Sequence, residues 1–597
     1  MSENEETGAG SGEVTMVDSG SEGGEPDVTP VGAESDTVQP EAPPAEEESA
    51  APAEVATVAE TTPDTGTEWG AEATPVAELT PAAEEAPGEA AAVPDDAAIL
   101  RSDTPAADSS LAASYEAGWV VPPPAGDVWT ARPWVNPEER EAEGKAARKR
   151  VPRASQATFE PARERDPIAI LEAQEADRLP ELLPLRHARM AESAFAYYRG
   201  TPAVMAFDLS TTPRTDILVQ ASGDAHLSNF GLFGSPERSL VFDANDFDET
   251  LPAPWEWDVK RLAASIVVAG RGNGFGPNQN RVAAMATVRA YREWIARYAG
   301  MGLLEVWYAK LTDTDILAAG EATGLLGGRE GTARRRVVET FFSKARQRDQ
   351  MRAFGALTTV VDGRRVILDD PPVVQHVDIP DTTATLEAVF NTYRATLAEN
   401  RRDFLERYRF VDLALKVVGV GSVGTRCFVM VLEGRDEEDP LILQAKQAEA
   451  SVMKPYVERS RKLNHGERVV VGQRAMQATP DIFLGWSRGP LGRDYYFRQL
   501  WDMKGSVEIT TLRPEGLGFY GGICARSLAR AHARTGDAVA IAAYLGTRDT
   551  FDGAVADFSE AYAEQNERDY RAFVAAIRAG RVSSGEGGRV SVEGSSS

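Results

Sequence analysis

Gly223-Asp-Ala-His-Leu-Ser-Asn229, followed at a short distance by Asn245-Asp-Phe-Asp-Glu249, is the stretch on which the reading of this 597-residue chain turns. Each motif follows a short apolar run, residues 217–220 for the first and 239–244 for the second. Runs of this kind predict strands. Both motifs therefore fall in loops at strand ends, where a rigid scaffold commonly holds reactive groups. Asp224 and Asn229 stand five apart on one loop, and Asp246 and Asp248 follow on the next. Gly-Asp is also a common turn pair, so Asp224 taken alone reads as a loop-capping carboxylate. Its neighbours set it apart.

Outward from these loops the chain changes texture several times. Residues 166–196 carry apolar positions at helical spacing, and residues 203–209 read as a strand. Residues 258–350 read as helical throughout. Near residue 410 the pattern turns to Val- and Phe-rich runs at 413–419, 427–432 and 441–445, with further strands expected at 468–471 and 495–500. Residues 521–579 read as helical again. The expected organisation is a disordered acidic tail over 1–115 and a mainly helical lobe over 116–405. A β-rich lobe over 406–515, C-terminal helices over 516–580 and a disordered tail over 581–597 follow.

Composition restricts the function classes. The formal charge is −29, yet residues 1–100 hold 25 Asp or Glu and no Lys or Arg, so the remainder is nearly balanced. Such a tail, almost free of aromatics, cannot bury enough apolar surface to offset its chain entropy. A nearly neutral folded part has no basic stripe, so nucleic acid is not an expected partner. The cluster Lys145-Ala-Ala-Arg-Lys-Arg150 reads as a solvated face. Cys427 and Cys524 lack neighbours at zinc spacing. No apolar run approaches a membrane span, and the N-terminus lacks the pattern of a signal peptide. A cytoplasmic protein is expected.

The acidic loops suit phosphoryl transfer. That chemistry asks for a carboxylate to orient a hydroxyl, oxygen ligands for magnesium, and cations and backbone amides around phosphates. Asp224 suits the first role, with His226 either a second base or a loop-stabilising group. Asn229 and Asp246 suit the metal, in competition with Asp243 and Asp248. Gly419-Val-Gly-Ser-Val-Gly424 lies between two strand runs. A dinucleotide-binding loop would be followed by a helix. A strand–glycine loop–strand hairpin over Gly419, Gly421 and Gly424 is instead the nucleotide-covering arrangement of kinases. Lys446 ends the next strand run and reads either as a phosphate ligand or as an edge-strand surface lysine.

Several longer motifs carry a family resemblance. Arg189-Met, Phe195-Ala-Tyr-Tyr-Arg-Gly200, Gly223-Asp-Ala-His-Leu-Ser-Asn-Phe-Gly231, Asn245-Asp-Phe-Asp-Glu-Thr250 and Trp257-Asp-Val-Lys-Arg-Leu262 closely resemble the bacterial family called domain of unknown function 2252, over most of residues 140–580. More distantly, the Asp224 loop resembles the catalytic loop of aminoglycoside phosphotransferases and choline kinases, H-G-D-x-H-x-x-N. That resemblance implies Asp224 as catalytic base and Asn229 and Asp246 as magnesium ligands. It implies Asp258 as a structural carboxylate opening a helix, and Lys446 and the glycine loop as the ATP site. It also suggests residues 495–502 as a hinge strand.

Two departures stand out. Ser222 replaces the first His of the pattern, and the glycine loop follows the catalytic loop by about 190 residues where kinases place it before. A circular permutation would reconcile the order, and it requires Lys446 to lie near Asp224 and Asp246. Glu449 and Glu458 are both candidates to pair with Lys446. The expectation is an α+β, bilobal, circularly permuted protein kinase-like fold. It would bind ATP and Mg2+ and act on an unknown phosphate acceptor. The alternatives are a pseudokinase-like binding module and a metal-dependent hydrolase.

Overall fold

The computed structural model describes residues 135–585 apart from 349, 378–381, 418, 458–463 and 501, within one compact unit, Val121–Ser597. The tail expected over 1–115, residues 586–597 of the tail expected over 581–597, and Glu458 lie outside the described residues, whereas residues 581–585 are described and Val582 is buried. The fold mixes helices with antiparallel sheet.

After a helix at Pro137–Arg150, four more helices lead to the first acidic loop: α1 Pro167–Glu175, α2 Leu183–Ala191, α3 Ala194–Gly200 and α4 Pro202–Ser210. Asp166 opens α1 by accepting from the backbone N–H groups of Ile168 and Ala169, and Ser193 opens α3 by accepting from Ala196. Helix α4 corrects the strand expected at 203–209. That run is almost wholly apolar, so periodicity cannot separate helix from strand, and Pro202 at its first turn is pre-set for a helix.

The acidic loops hang on two small ribbons. Strand β1 (Leu218–Ala221) is to pair with β4 (Leu251–Pro254), and β2 (Phe230–Gly234) with β3 (Leu240–Ala244); both pairings are antiparallel. Helix α5 (Trp255–Gly272) follows directly and is buried at every residue from Trp255 to Gly270, Glu256, Asp258, Lys260 and Arg261 included. Charged groups so placed must find partners, which makes α5 the post on which the loops are fixed. Helix α6 (Pro277–Ala299) packs on α5, and both pack against two C-terminal helices described below.

A hairpin of β5 (Thr358–Val361) and β6 (Arg364–Ile367) precedes the larger sheet. That sheet comprises β7 (Val374–Gln375), β8 (Arg409–Lys416), β9 (Cys427–Glu433), β10 (Pro440–Ala448), β11 (Gly485–Arg488) and β12 (Asp494–Gln499). Its order is β11-β12-β10-β9-β8-β7, with all neighbours antiparallel. β10 is thus an interior strand: Lys446 lies opposite Cys427 on one side and Tyr496 on the other. It is 1 % exposed, which removes the edge-strand alternative.

Residues 468–471, expected as a strand, belong to helix α7 (His465–Met476). Arg-Val-Val-Val favours strand by propensity, but Asn464 caps the first turn by accepting from Glu467 N–H at 3.1 Å, and Val469, Val470 and Met476 bury on one side. Helices α8 (Pro514–Thr535) and α9 (Thr550–Arg578) complete the packing around α5 and α6. No helix among the described residues is long and apolar enough to cross a membrane.

Cys427 in β9 and Cys524 in α8 are both buried and unpaired. Burial pushes the Cys427 thiol up to about 11 and that of Cys524 well above its ordinary value. Since the thiolate is the nucleophile, neither should react with a disulfide reagent at pH 8 in the folded protein. Both should react after denaturation, and a fast native-state thiol would contradict this packing.

Candidate functional site

The Asp224 loop is fixed from behind before its side chains meet solvent. Asp258, in the first turn of α5, accepts from the N–H groups of Ser222 at 2.7 Å and Gly223 at 2.9 Å. His532 Nε2 of α8 lies 3.1 Å from the same carboxylate, and Tyr291 Oη of α6 lies 2.8 Å from His532 Nδ1. Three helices thus hold one loop through a buried polar chain. Gly223 has φ +76°, and a Cβ there would stand 2.7 Å from the Glu249 carbonyl oxygen. Only glycine lets the two acidic loops approach this closely.

Arg261, three residues after Asp258, reaches the Asp224 carboxylate with both Nε, at 2.7 Å, and Nη2. Its Nη2 also donates to the Tyr198 carbonyl, and its guanidinium lies 4.7 Å from the Tyr198 ring centre. Burial raises the Asp224 carboxyl to about 6 despite the opposing pull of Arg261. His226 Nε2 is 3.6 Å from Asp224, and His226 N–H donates to the Asp224 carbonyl at 2.8 Å. Burial, reinforced by Arg199 and Arg261, keeps this imidazole well below its ordinary value and therefore neutral.

Asn229 staples the two loops together. Its Nδ2 donates to the carbonyls of Asp224 and Asp246, both at 3.0 Å, and its Oδ1 accepts from Asp246 N–H at 2.8 Å. One Oδ1 lone pair remains. Asp243 is spent elsewhere: Arg530 and Ser527 both donate to it at 2.6 Å, and Ala478 N–H at 3.1 Å.

The downstream sheet meets these loops through Lys446. Its ammonium lies 3.3 Å from Asp246 Oδ2 and also contacts Asp248 Oδ2. Burial alone would raise Asp246, but Lys446 and Arg498 hold it below the usual carboxylate range. Asp248, which accepts from Tyr496 Oη at 2.8 Å, is pushed up by burial and by Asp246. Arg498 donates to Gln444 at 2.8 Å and to the Asn245 carbonyl at 2.9 Å. Gln444, Lys446, Tyr496 and Arg498 therefore form one face of the sheet turned toward the acidic loops. Glu449, a candidate partner of Lys446, instead accepts from Gln447 at 3.3 Å.

A cleft of about 520 Å³ runs along this junction. One end is lined by Asp224, His226, Asn229, Asp246 and Lys446, with Gly419 and Gly421 beside them. The other end is more apolar, with Leu441, Ile482, Phe483 and Leu500. Asp248 opens instead into a narrower recess of about 50 Å³ shared with Glu249 and Glu449. Gly424 turns away from the cleft, with φ +90° and its carbonyl accepting from Leu179 N–H at 2.7 Å.

Several contributing residues escaped the sequence reading. Arg261 was findable, because it lies one helical turn from Asp258 on the same helix face. Arg498 was findable in part, two residues beyond Tyr496 on one strand face. Arg199 falls in the motif at residues 195–200 that carries the family resemblance but not this role, and His532 carries no local signal. Among the described residues no group of three or more His, Cys, Asp and Glu side chains is arranged to hold a metal ion by itself. Asp246, whose side chain is 40 % exposed, and Asn229 do line the cleft. That sparse set fits magnesium, which usually takes one or two carboxylates and completes its shell with waters and substrate phosphates.

Residues 178–576 match the model of a family described as uncharacterized protein conserved in bacteria (DUF2252). No curated protein and no solved structure matches the chain.

Asp258→Ala would leave the Ser222 and Gly223 N–H groups without their acceptor. At ~1–3 kcal/mol for each unmet buried donor, it should lower the unfolding free energy by about 2 kcal/mol or more in urea titration. A loss below about 0.5 kcal/mol would show that the loop is not held from α5.

Proposed function

We propose that this chain, which belongs to that family of uncharacterized bacterial proteins, is an ATP- and Mg2+-dependent phosphotransferase acting on a hydroxyl of a small molecule or protein. Its two halves would form a bilobal, kinase-like site assembled in permuted order. One observation carries this. Lys446 follows Asp246 by 200 residues yet lies 3.3 Å from it, and the glycine loop lines the same cleft as Asp224, Asn229 and Asp246. Proximity of Lys446 to the acidic loops was the condition that the permuted arrangement had to meet.

The residues divide the work. Asp224, held rigidly by Arg261, orients the acceptor hydroxyl and receives its proton. Asn229 and Asp246 would hold magnesium, which supplies charge neutralisation along the phosphate chain. Lys446 and Arg498 add positive charge beside the cleft, and the turn at Gly419 and Gly421 lets backbone approach the phosphates. The apolar end near Leu441, Phe483 and Leu500 suits a purine ring. Asp258 plays the loop-holding part that the distant resemblance implied. A nucleotide-binding module without transfer is the second reading, favoured by the grip of Arg261 on the Asp224 carboxylate.

Asp224→Asn should lower transfer of labelled γ-phosphate by a hundred- to ten-thousand-fold, on the order of the contribution of a positioned base, while leaving binding of Mg·ATP in place. Unchanged turnover would reject Asp224 as the base. Because its carboxyl titrates near 6, the basic form declines below that pH. Transfer at limiting substrate should therefore fall about tenfold per pH unit below about pH 6. A flat profile down to pH 4.5 would contradict the assignment.

A further inference from the structure

We propose that Arg199 is the residue that grips the phosphoryl group during transfer, an arginine supplied by the chain itself to the reacting end of the cleft. This rests on the phosphotransferase reading above. Arg199 lies in the last turn of α3, and its side chain lines the cleft with Asp224, His226 and Gly421. The backbone that carries it is bound to the glycine loop. Arg186 of α2 donates to the carbonyl of Gly200 at 2.8 Å and to those of Val420 and Gly421 at 2.9 and 2.8 Å. Arg189 donates to the Gly419 carbonyl at 2.7 Å. The loop and Arg199 are therefore set relative to each other by one buried guanidinium.

Arg199 is unspent, and of the two cleft-lining cations without a hydrogen-bond or ion-pair partner among the described residues, Arg199 and Lys504, it is the one carried on backbone bound to the glycine loop. Arg261 is committed to Asp224 and the Tyr198 carbonyl, Arg498 to Gln444 and the Asn245 carbonyl, and Arg238 to Asp502. The Arg199 guanidinium has no hydrogen-bond or ion-pair partner among the described residues, and its Nε is shut off from solvent without an acceptor. A buried donor left unmet is costly, and a guanidinium matches a phosphoryl group through paired N–H donors. Asp224, Glu192 and Glu508 pull on the charge of Arg199 without accepting a hydrogen bond from it. An oxyanion entering between Asp224 and Gly421 would meet those donors.

In the transfer, the bond from γ-phosphorus to the bridging oxygen breaks and ADP leaves with the electron pair. The bond from phosphorus to the acceptor oxygen forms, and the acceptor proton passes to Asp224. Negative charge meanwhile spreads over the three equatorial oxygens of the group in flight. Arg199 donates to those oxygens, so its contribution is larger during transfer than in the bound ground state.

The test is thermal unfolding of the full chain with Mg·ADP alone and with Mg·ADP plus fluoroaluminate, a mimic of the group in transfer. The unsubstituted protein should be stabilised by Mg·ADP and further by fluoroaluminate. Arg199→Ala should keep the first shift and lose the second, with kcat for γ-phosphate transfer down about a thousandfold, as for arginines in this role, and KM for ATP little changed. Arg199→Lys, which keeps the stem and charge, should retain part of both and guards against misfolding of the alanine variant. If Arg199→Ala keeps the full fluoroaluminate increment, the role of Arg199 is overturned while nucleotide binding stands. If the unsubstituted protein does not respond to Mg·ADP, the nucleotide reading falls and this inference with it.

Discussion

A lysine ammonium buried against two carboxylates ties the halves of this site together. Taking Lys446 out of water is costly unless its charge is met at close range. Asp246 and Asp248 meet it, and they raise its affinity for the proton well above the ordinary lysine value against the pull of burial. The pairing is mutual: the same ammonium, with Arg498, keeps Asp246 ionised. Sheet and acidic loops are therefore coupled by charge as well as by packing. The cleft exists because that contact fixes the distance between them.

Around this contact the molecule is organised as a series of holdfasts. Asp258 fixes the turn before Asp224, Asn229 fastens that turn to the next, and Arg186 secures the glycine loop to α3. Each is a buried polar group satisfied by backbone atoms of a neighbouring loop. This is how irregular segments are kept in place without strands of their own. Among the cleft-lining groups that such holdfasts do not consume are part of Asp246, the guanidinium of Arg199 and the ammonium of Lys504. Under the proposed function, positive and negative groups held rigid with a few left unsatisfied would be pre-organised for an incoming ion.

The sequence disclosed the mixed helix-and-sheet class and several residues that meet at the cleft, and less of the element boundaries. Asp224, Asn229 and Asp246 were legible because an amide five residues from a carboxylate, on a strand-end loop, is a local pattern. Glycines at 419 and 421 were legible for the same reason. The strand misassignments at 203–209 and 468–471 both fall on short apolar runs, where periodicity cannot separate helix from strand. A proline at 202 and an asparagine at 464 decided both in favour of helix. Lys446 was legible as unusual but not as interior, because strand order in a sheet is set by non-local pairing. The roles of His532 and Arg199 were invisible, though Arg199 lies in a motif the sequence singles out, since they depend on contacts with residues far away in the chain.

The most direct measurement is a crystal structure of the full chain with Mg2+ and a non-hydrolysable ATP analogue. The account predicts the β- and γ-phosphates beside Lys446 and the turn at Gly419–Gly421, the ion on Asp246 and Asn229, and the adenine among Leu441, Phe483 and Leu500. A nucleotide bound away from Lys446, or no nucleotide in the cleft at millimolar analogue, would contradict it.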